Sequence, residues 1–98
     1  PESLERPDIF IANVGEQADL FVQKLVYGLR NAGISAERDY LSRSVKAQMK
    51  YANKCGAHFT LMLGDNELNT GKAFLRDMTK SEQTEISIDK IADFIKQN

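Results

Sequence analysis

Side chains suited to nucleophilic or acid–base catalysis are few in this sequence. Cys55 is its one cysteine and His58 is its one histidine. A thiol near a histidine can act as a nucleophile, and the neighbouring Lys54 could lower the pKa of the Cys55 thiol. However, His58 opens an apolar run and Cys55 ends an amphipathic segment, so packed structural roles are favoured for both. We therefore predict no catalytic site and no metal site, and we keep a small thiol-dependent enzyme as an alternative.

Two phosphate- or metal-binding motifs are suggested by short segments but fail in their details. The segment Gly64–Ala73 ends like a phosphate-binding loop, with Gly71 followed by Lys72, yet too many residues separate its two glycines. Ala73 stands where the motif needs a magnesium-binding hydroxyl. The first apolar run ends at Asn13 without the paired acids of a phosphoacceptor receiver domain. We expect no cofactor in this chain.

A stripe of cations follows one side of a predicted helix. It consists of Arg43, Lys46, Lys50 and Lys54, which are three or four residues apart with no acid among them. Like charges at this spacing destabilise a helix by roughly 0.2–0.5 kcal/mol per pair, so helix stability does not explain the stripe. Two interpretations stay open: a solvated basic face, or a row of phosphate contacts that includes Lys46, Lys50 and Lys54.

The composition is that of one folded domain. The 98 residues are 42% hydrophobic and 28% charged, and the net charge of -1 excludes indiscriminate binding to polyanions or membranes. The single cysteine excludes an internal disulfide and favours a reducing, cytoplasmic location. Because the chain does not begin with Met, we expect a piece of a longer protein, in which residues 1–7 form a linker arm and residues 8–98 the domain.

Hydrophobic periodicity predicts the elements that position these residues. Apolar runs at Ile9–Val14 and His58–Leu63 are typical of strands buried on both faces, and the charged strand Ser35–Tyr40 suits a sheet edge. Helices are predicted over Gln17–Ala32 and Ser44–Gly56 and from Ser87, with a hairpin of Lys72–Met78 and Glu82–Ile86 before the last. The predicted buried stripes of the first two helices are Ala18, Phe21, Val22, Leu25, Leu29 and Ala32, and Val45, Met49 and Ala52. The fold class is therefore α/β, a three-layer α/β/α domain whose mixed sheet has three parallel strands plus an antiparallel hairpin, with three helices.

The carboxyl ends of parallel strands lie at one edge of a sheet, where ligands normally bind. Three segments should converge there: Asn13–Glu16, Tyr40–Ser44 and the loop Gly64–Glu67. Glu67 could accept the two N–H donors on the Watson–Crick edge of guanine, Arg76 could reach a base carbonyl or a phosphate, and Tyr40 could stack on an unpaired base. The other interpretation of the loop is a turn with solvated acids.

Several motifs in fixed order resemble a known family. They are the segment Arg43–Ala57, then Leu63–Glu67, Gly71-Lys72, Asp77-Met78 and Glu82-Gln83. Together they resemble the C-terminal anticodon-binding domain of class II aminoacyl-tRNA synthetases over nearly the whole domain. Asp77-Met78 and Glu82-Gln83 are most similar to the histidyl enzymes.

The resemblance implies a five-stranded mixed sheet with three helices that binds an anticodon loop. In related synthetases the glutamate and arginine that match Glu67 and Arg76 lie at the anticodon. The other anticodon-binding residues expected here are Asn13, Tyr40, Arg43, Gly64 and Asp65. ATP and Mg²⁺ would be bound by a separate catalytic domain upstream, in a parent expected to be a homodimer, and whether the domain alone is a monomer stays open. Two positions depart from the usual pattern of the family. Ser81 stands where the hairpin usually has glycine, and Asn53 stands where an acidic residue is common. Both differences concern local structure and leave the binding assignment unchanged.

The leading hypothesis is therefore a binding module that recognises the anticodon loop of histidine tRNA, while the parent ligase carries out ATP-dependent aminoacylation. One alternative is the related domain of a regulatory paralogue, acting as a protein-interaction element without tRNA contact. Another is the corresponding domain of a threonyl, prolyl or glycyl synthetase.

Overall fold

A mixed sheet with helices on both faces forms the domain. The structure is a computed structural model that describes residues 6–39 and 44–97. Within these residues the strands are β1 (Ile9–Asn13), β2 (Ala36–Arg38), β3 (Phe59–Leu63), β4 (Lys72–Asp77) and β5 (Glu82–Ser87), and the helices are α1 (Asp19–Asn31), α2 (Val45–Cys55), α3 (Asp65–Thr70) and α4 (Ile91–Gln97). The five strands lie in the order β2-β1-β3-β4-β5. β1 is parallel to β2 and β3, whereas β4 is antiparallel to β3 and β5. The predicted fold class and the edge position of β2 are confirmed.

One face of the sheet carries the main core. Alternate residues of the three central strands are buried there, including Ile11, Leu61 and Leu75. They pack against the apolar stripe of α1 and against Ile91 of α4. This alternation follows from the two-residue period of a strand, and it leaves the intervening residues for the other face.

The other face is covered only in part. α2 packs on β1, where Phe10 and Ala12 contact Ala52. Towards β4 and β5 no described helix lies over the sheet, and Met62 and Phe74 remain 42% and 53% exposed. We call the part of this face formed by β3, β4 and β5 the open face.

The buried stripe of α1 differs from the prediction. The chain enters α1 through a 3₁₀ turn at Glu16–Ala18, and the stripe then runs through Ala18, Val22, Val26 and Leu29. Phe21 is 38% exposed, so its predicted burial was wrong. The helical period places Phe21 about 100° around the helix axis from Val22, at the margin of the stripe, where the core covers a side chain only in part.

A helix replaces the predicted loop after β3. Residues Asp65–Thr70 form α3, so the interpretation of Gly64–Glu67 as a loop was wrong. The Glu67 carboxylate accepts a hydrogen bond from the Gly64 N–H at 2.8 Å, and Gly71 ends the helix with a φ of 74°. Such a short helix lacks enough turns to show an apolar period, and its end contacts define it instead.

Of the two predicted serine caps, the one at the start of α2 is observed and the one before the last helix is not. Ser44 caps α2, because its Oγ accepts a hydrogen bond from the Ala47 N–H at 3.2 Å. Ser87 was expected to do the same for the last helix, but its side chain makes no capping hydrogen bond, since a 3₁₀ turn at Ile88–Lys90 precedes α4. In the β4–β5 hairpin Ser81 adopts a positive φ of 56°. None of the described helices is long and apolar enough to cross a membrane.

Candidate functional site

A groove of about 360 Å³ lies on the open face, between α2, α3 and the sheet. It is lined by Met49, Thr60, Met62, Glu67, Phe74, Arg76 and Gln83. The strand register brings these residues together: on β4, Arg76 pairs with Thr60 of β3 on one side and with Gln83 of β5 on the other. The groove therefore combines three apolar side chains with four that can form directed hydrogen bonds, Thr60, Glu67, Arg76 and Gln83.

Glu67 reaches the groove from the first turn of α3. Its Oε1 is held by the Gly64 N–H at 2.8 Å, and the side chain is half-buried. Within the described residues its second carboxylate oxygen forms no hydrogen bond, so an acceptor remains for a ligand N–H. The capping contact fixes the carboxylate in place, which lowers the entropy cost of binding through it.

Arg76 and Gln83 form the polar end of the groove. Both are exposed, and neither side chain makes a hydrogen bond or ion pair with residues 6–39 or 44–97. By contrast, two arginines near α1 are engaged, Arg38 with Asp19 and Arg30 with Glu37 at 3.4 Å. The Arg76 guanidinium thus presents its donors to solvent, where they can bind a carbonyl or phosphate oxygen.

Exposed lysines lie on α2, the helix that contributes Met49 to the groove. Met49 lines the groove, and the helical period places Lys46 and Lys50 on the solvent side of Met49. Lys46, Lys50 and Lys54 are all exposed, and none has an ion pair with the part of the chain that the structure describes. Arg43, the first cation of the predicted stripe, lies outside the described residues.

Other predicted residues lie beside the groove or away from it. Gly64 and Asp65 share a shallow depression with Val14, Met62 and Glu67, at the α3 end of the groove. The close approach of β1 and β3 there is the convergence predicted for Asn13–Glu16 and Gly64–Glu67. Tyr40 lies outside the described residues, as do Leu41–Arg43 of the third predicted segment.

Asn13 faces a separate cleft, of about 410 Å³, on the β1–β2 side of α2. Gln48 holds it there: the Gln48 Nε2 donates to the Asn13 carbonyl at 2.9 Å, and the Gln48 Oε1 accepts from the Asn13 N–H at 2.7 Å. Gln48 is fully buried, whereas Val45 and Met49 are only partly buried. The predicted stripe of Val45, Met49 and Ala52 was therefore rotated, because a glutamine that satisfies a strand end occupies the helix face expected to be apolar.

Cys55 and His58 have separate neighbours. The Cys55 Sγ donates to the Ala52 carbonyl at 3.3 Å, and burial raises the pKa of the thiol. Lys54 therefore does not activate the thiol, because desolvation dominates, and this agrees with the favoured packed role of Cys55. The His58 ring stacks on Phe59 with centroids 4.2 Å apart, and its Nε2 lies 3.5 Å from the Asp77 Oδ1. Among the described residues no cluster of three His, Cys, Asp or Glu side chains could hold a metal ion.

The residues that sequence reasoning missed are the apolar members of the groove. Phe74 and Met62 were not singled out, and Gln83 entered only as part of a motif. The available signal was the alternation within Lys72–Met78, which puts Phe74 and Arg76 on the same face of β4.

The comparisons with known proteins agree with this fold. The model of a family described as "Anticodon binding domain" matches residues 8–98, and the chain belongs to this family. The histidine–tRNA ligase of Acetivibrio thermocellus is 50% identical over 96 residues, which cover 98% of this chain and 23% of that protein. The histidine–tRNA ligase of Staphylococcus aureus strain JH9 is 42% identical over 93 residues, or 95% of this chain and 22% of that protein. The resemblance inferred from the motifs is thus confirmed.

Solved structures give the same result. The apo histidyl-tRNA synthetase of S. aureus matches with a TM-score of 0.90 at 42% identity, over 94% of this chain and 24% of that chain. The RNA binding domain of threonyl-tRNA synthetase from Cryptosporidium parvum Iowa II matches with a TM-score of 0.82 at 16% identity, a likeness of fold alone. This chain spans about a quarter of the length of the ligases that it matches.

Proposed function

We propose that this domain binds the anticodon loop of histidine tRNA and positions the tRNA on a histidine–tRNA ligase of which it forms one part. The observation that carries the proposal is that Glu67 and Arg76, predicted from the family resemblance to contact the anticodon, line one groove. The identity of 50% to a histidine–tRNA ligase supports the choice of tRNA.

In this proposal the chemistry is base reading and phosphate binding, without catalysis in the domain itself. The free oxygen of the Glu67 carboxylate accepts N–H donors from a base edge, and Arg76 donates to a base carbonyl or a phosphate. Lys46, Lys50 and Lys54 contact phosphates beside the groove, which strengthens binding without reading sequence. ATP and Mg²⁺ act in the catalytic domain of the parent, a cytoplasmic homodimer. Asn13, Tyr40, Arg43, Gly64 and Asp65 stay predicted members of the anticodon-binding surface.

A titration of the chain with RNA tests the proposal. The probes are the histidine anticodon stem-loop and the same stem with a changed anticodon, each measured by fluorescence anisotropy over a salt series. We expect tighter binding to the histidine loop, weaker at higher salt, and a loss of the preference in Glu67→Ala and Arg76→Ala. Asp93→Ala and Lys96→Ala are matched controls, because both residues are exposed on α4, which packs on the other face of the sheet. Equal affinity for both loops, unchanged in the two groove variants, would refute the proposal.

A further inference from the structure

Phe74 is an exposed aromatic side chain on the open face. It is 53% exposed beside Met62, which is 42% exposed, and both line the groove. Phe74 lies two residues from Arg76 on the same face of β4 and opposite Glu85 of β5. Exposed apolar side chains that line a groove together with polar groups are suited to binding a ligand.

The polar groups around the ring decide what could cover it. An apolar peptide would bury the side chains of Arg76 and Gln83, which have no partners within the described residues, and leave their hydrogen-bonding groups unsatisfied. A nucleobase has an apolar face and a polar edge, so it can cover the ring while its edge pairs with those groups. Lys46 and Lys50 are exposed on α2, within three residues of the groove-lining Met49, and their charges suit the phosphate of the same nucleotide.

We propose that Phe74 is the surface on which one unpaired base of the bound RNA stacks, and that Gln83 contacts the edge of this base beside Arg76. This inference rests on the proposed function and adds two residues to it. Stacking on Phe74 supplies affinity that depends little on the base, because every base has a π face. Gln83 has both a donor and an acceptor, so it contributes to the choice of base. Gln83, one of the two exposed residues of the motif Glu82-Gln83, thereby gains a role.

The test combines variants of Phe74 with abasic RNA. We expect Phe74→Ala to weaken binding to the histidine anticodon stem-loop by about fivefold or more, and Phe74→Trp to bind as tightly as the native chain. Since the chain contains no tryptophan, the fluorescence of Phe74→Trp reports directly on stacking and should be quenched by the RNA. Tyr27→Ala is the matched control, because Tyr27 is 69% exposed on α1 and distant from the groove.

Abasic nucleotides then identify the stacked base. A series of stem-loops is made in which each loop position in turn lacks its base. For the stem-loop that lacks the stacked base, the native chain and Phe74→Ala should bind the RNA equally tightly, because the stacking partner of Phe74 is gone. Gln83→Ala should reduce the preference for the native base at that same position.

The outcomes separate the two proposals. If the native chain prefers the histidine loop but a folded Phe74→Ala binds as tightly, the stacking proposal is wrong and the proposed function stands. If the native chain binds no RNA, both are wrong. Far-ultraviolet circular dichroism and thermal unfolding of each variant show that it is folded, and an exposed side chain should be replaceable without loss of fold.

Discussion

The Glu67 carboxylate, which lines the groove, accepts a hydrogen bond from the backbone N–H of Gly64 at 2.8 Å. One oxygen of this carboxylate therefore fixes the start of α3, and the other remains for a ligand. The same side chain both defines the local fold and presents a hydrogen-bond acceptor, so a substitution can separate the two roles only if it preserves the first.

The substitution Glu67→Gln separates the structural role of this side chain from its role in binding. The glutamine can still accept from Gly64 with its carbonyl oxygen, so we expect thermal stability within about 0.5 kcal/mol of the native chain. Its second group is an amide donor instead of a carboxylate acceptor, so binding to the histidine anticodon stem-loop should weaken about tenfold or more. Glu67→Ala should lose stability as well as affinity. Native affinity in Glu67→Gln would exclude base reading by this residue.

Replacing Lys46, Lys50 and Lys54 together by glutamine should reduce the salt dependence of RNA binding. Each phosphate contact to a single strand contributes about 0.7 to the slope of log K against log salt, so the slope should fall by about 2. The preference for the histidine loop should persist, because phosphate contacts do not read bases. The control replaces Lys24, Lys90 and Lys96, three exposed lysines elsewhere. If the salt slope of the variant of Lys46, Lys50 and Lys54 were unchanged, the three lysines would form a solvated face without phosphate contacts.

The sheet could be predicted from the sequence because its strands carry their own signals. The two apolar runs and the hairpin correspond to β1, β3 and β4–β5. The short helix α3 could not be predicted, because contacts at its two ends define it and not a repeating pattern.

Within the site, residue chemistry predicted Glu67 and Arg76 but not Phe74. An aromatic residue in an alternating strand is normally assigned to a core. Only the absence of a described helix over the open face shows that Phe74 is exposed. Likewise, a glutamine is not expected in an apolar stripe. The burial of Gln48 is explained by its two hydrogen bonds to the backbone of Asn13 at the end of β1.

Asp77 should make stability depend on acid pH. The pKa of its carboxyl group is lowered, first by the hydrogen bond from the Lys80 N–H, then by that from Thr79 and by nearby His58. The pKa of an Asp carboxyl group in the unfolded chain is about 3.9. A carboxyl group whose pKa is lower in the folded state stabilises the fold at pH values above this unfolded-state pKa, and the contribution is lost as the pH falls through the folded-state pKa. In urea unfolding, Asp77→Asn should therefore be less stable than the native chain near neutral pH, and the difference should shrink below about pH 4. A difference independent of pH would contradict this account.

Ser81→Gly should stabilise the hairpin. A positive φ costs a non-glycine residue roughly 1–2 kcal/mol, and Ser81 has a φ of 56°. Glycine also raises the entropy of the unfolded chain, and this cancels roughly 0.4–1 kcal/mol of the stabilisation. We therefore expect the free energy of unfolding, measured in chemical denaturation, to rise by about 0.5 kcal/mol. Lys80→Gly, in the same turn, is the control and should destabilise.

Gly64 is required where the ends of β1 and β3 approach each other. A Cβ at this position would lie 3.0 Å from the Val14 Cβ and 3.3 Å from the Val14 carbonyl oxygen, while the backbone φ of −142° would suit any residue. The obstacle is therefore steric overlap, and Gly64→Ala should destabilise the domain by roughly 1–3 kcal/mol.

The same substitution should also weaken RNA binding, because displacement of Gly64 moves the N–H that holds the Glu67 carboxylate. Gly28→Ala is the matched control: a Cβ there meets no atom within 4 Å, and alanine in the interior of α1 should stabilise the domain by roughly 0.5–1 kcal/mol. Opposite signs of the two changes in unfolding free energy would show that packing at the strand ends, and not the intrinsic preference of the residue, maintains glycine beside the groove. If Gly64→Ala were as stable as the native chain and bound the histidine loop normally, the contact between Val14 and Gly64 would not position Glu67.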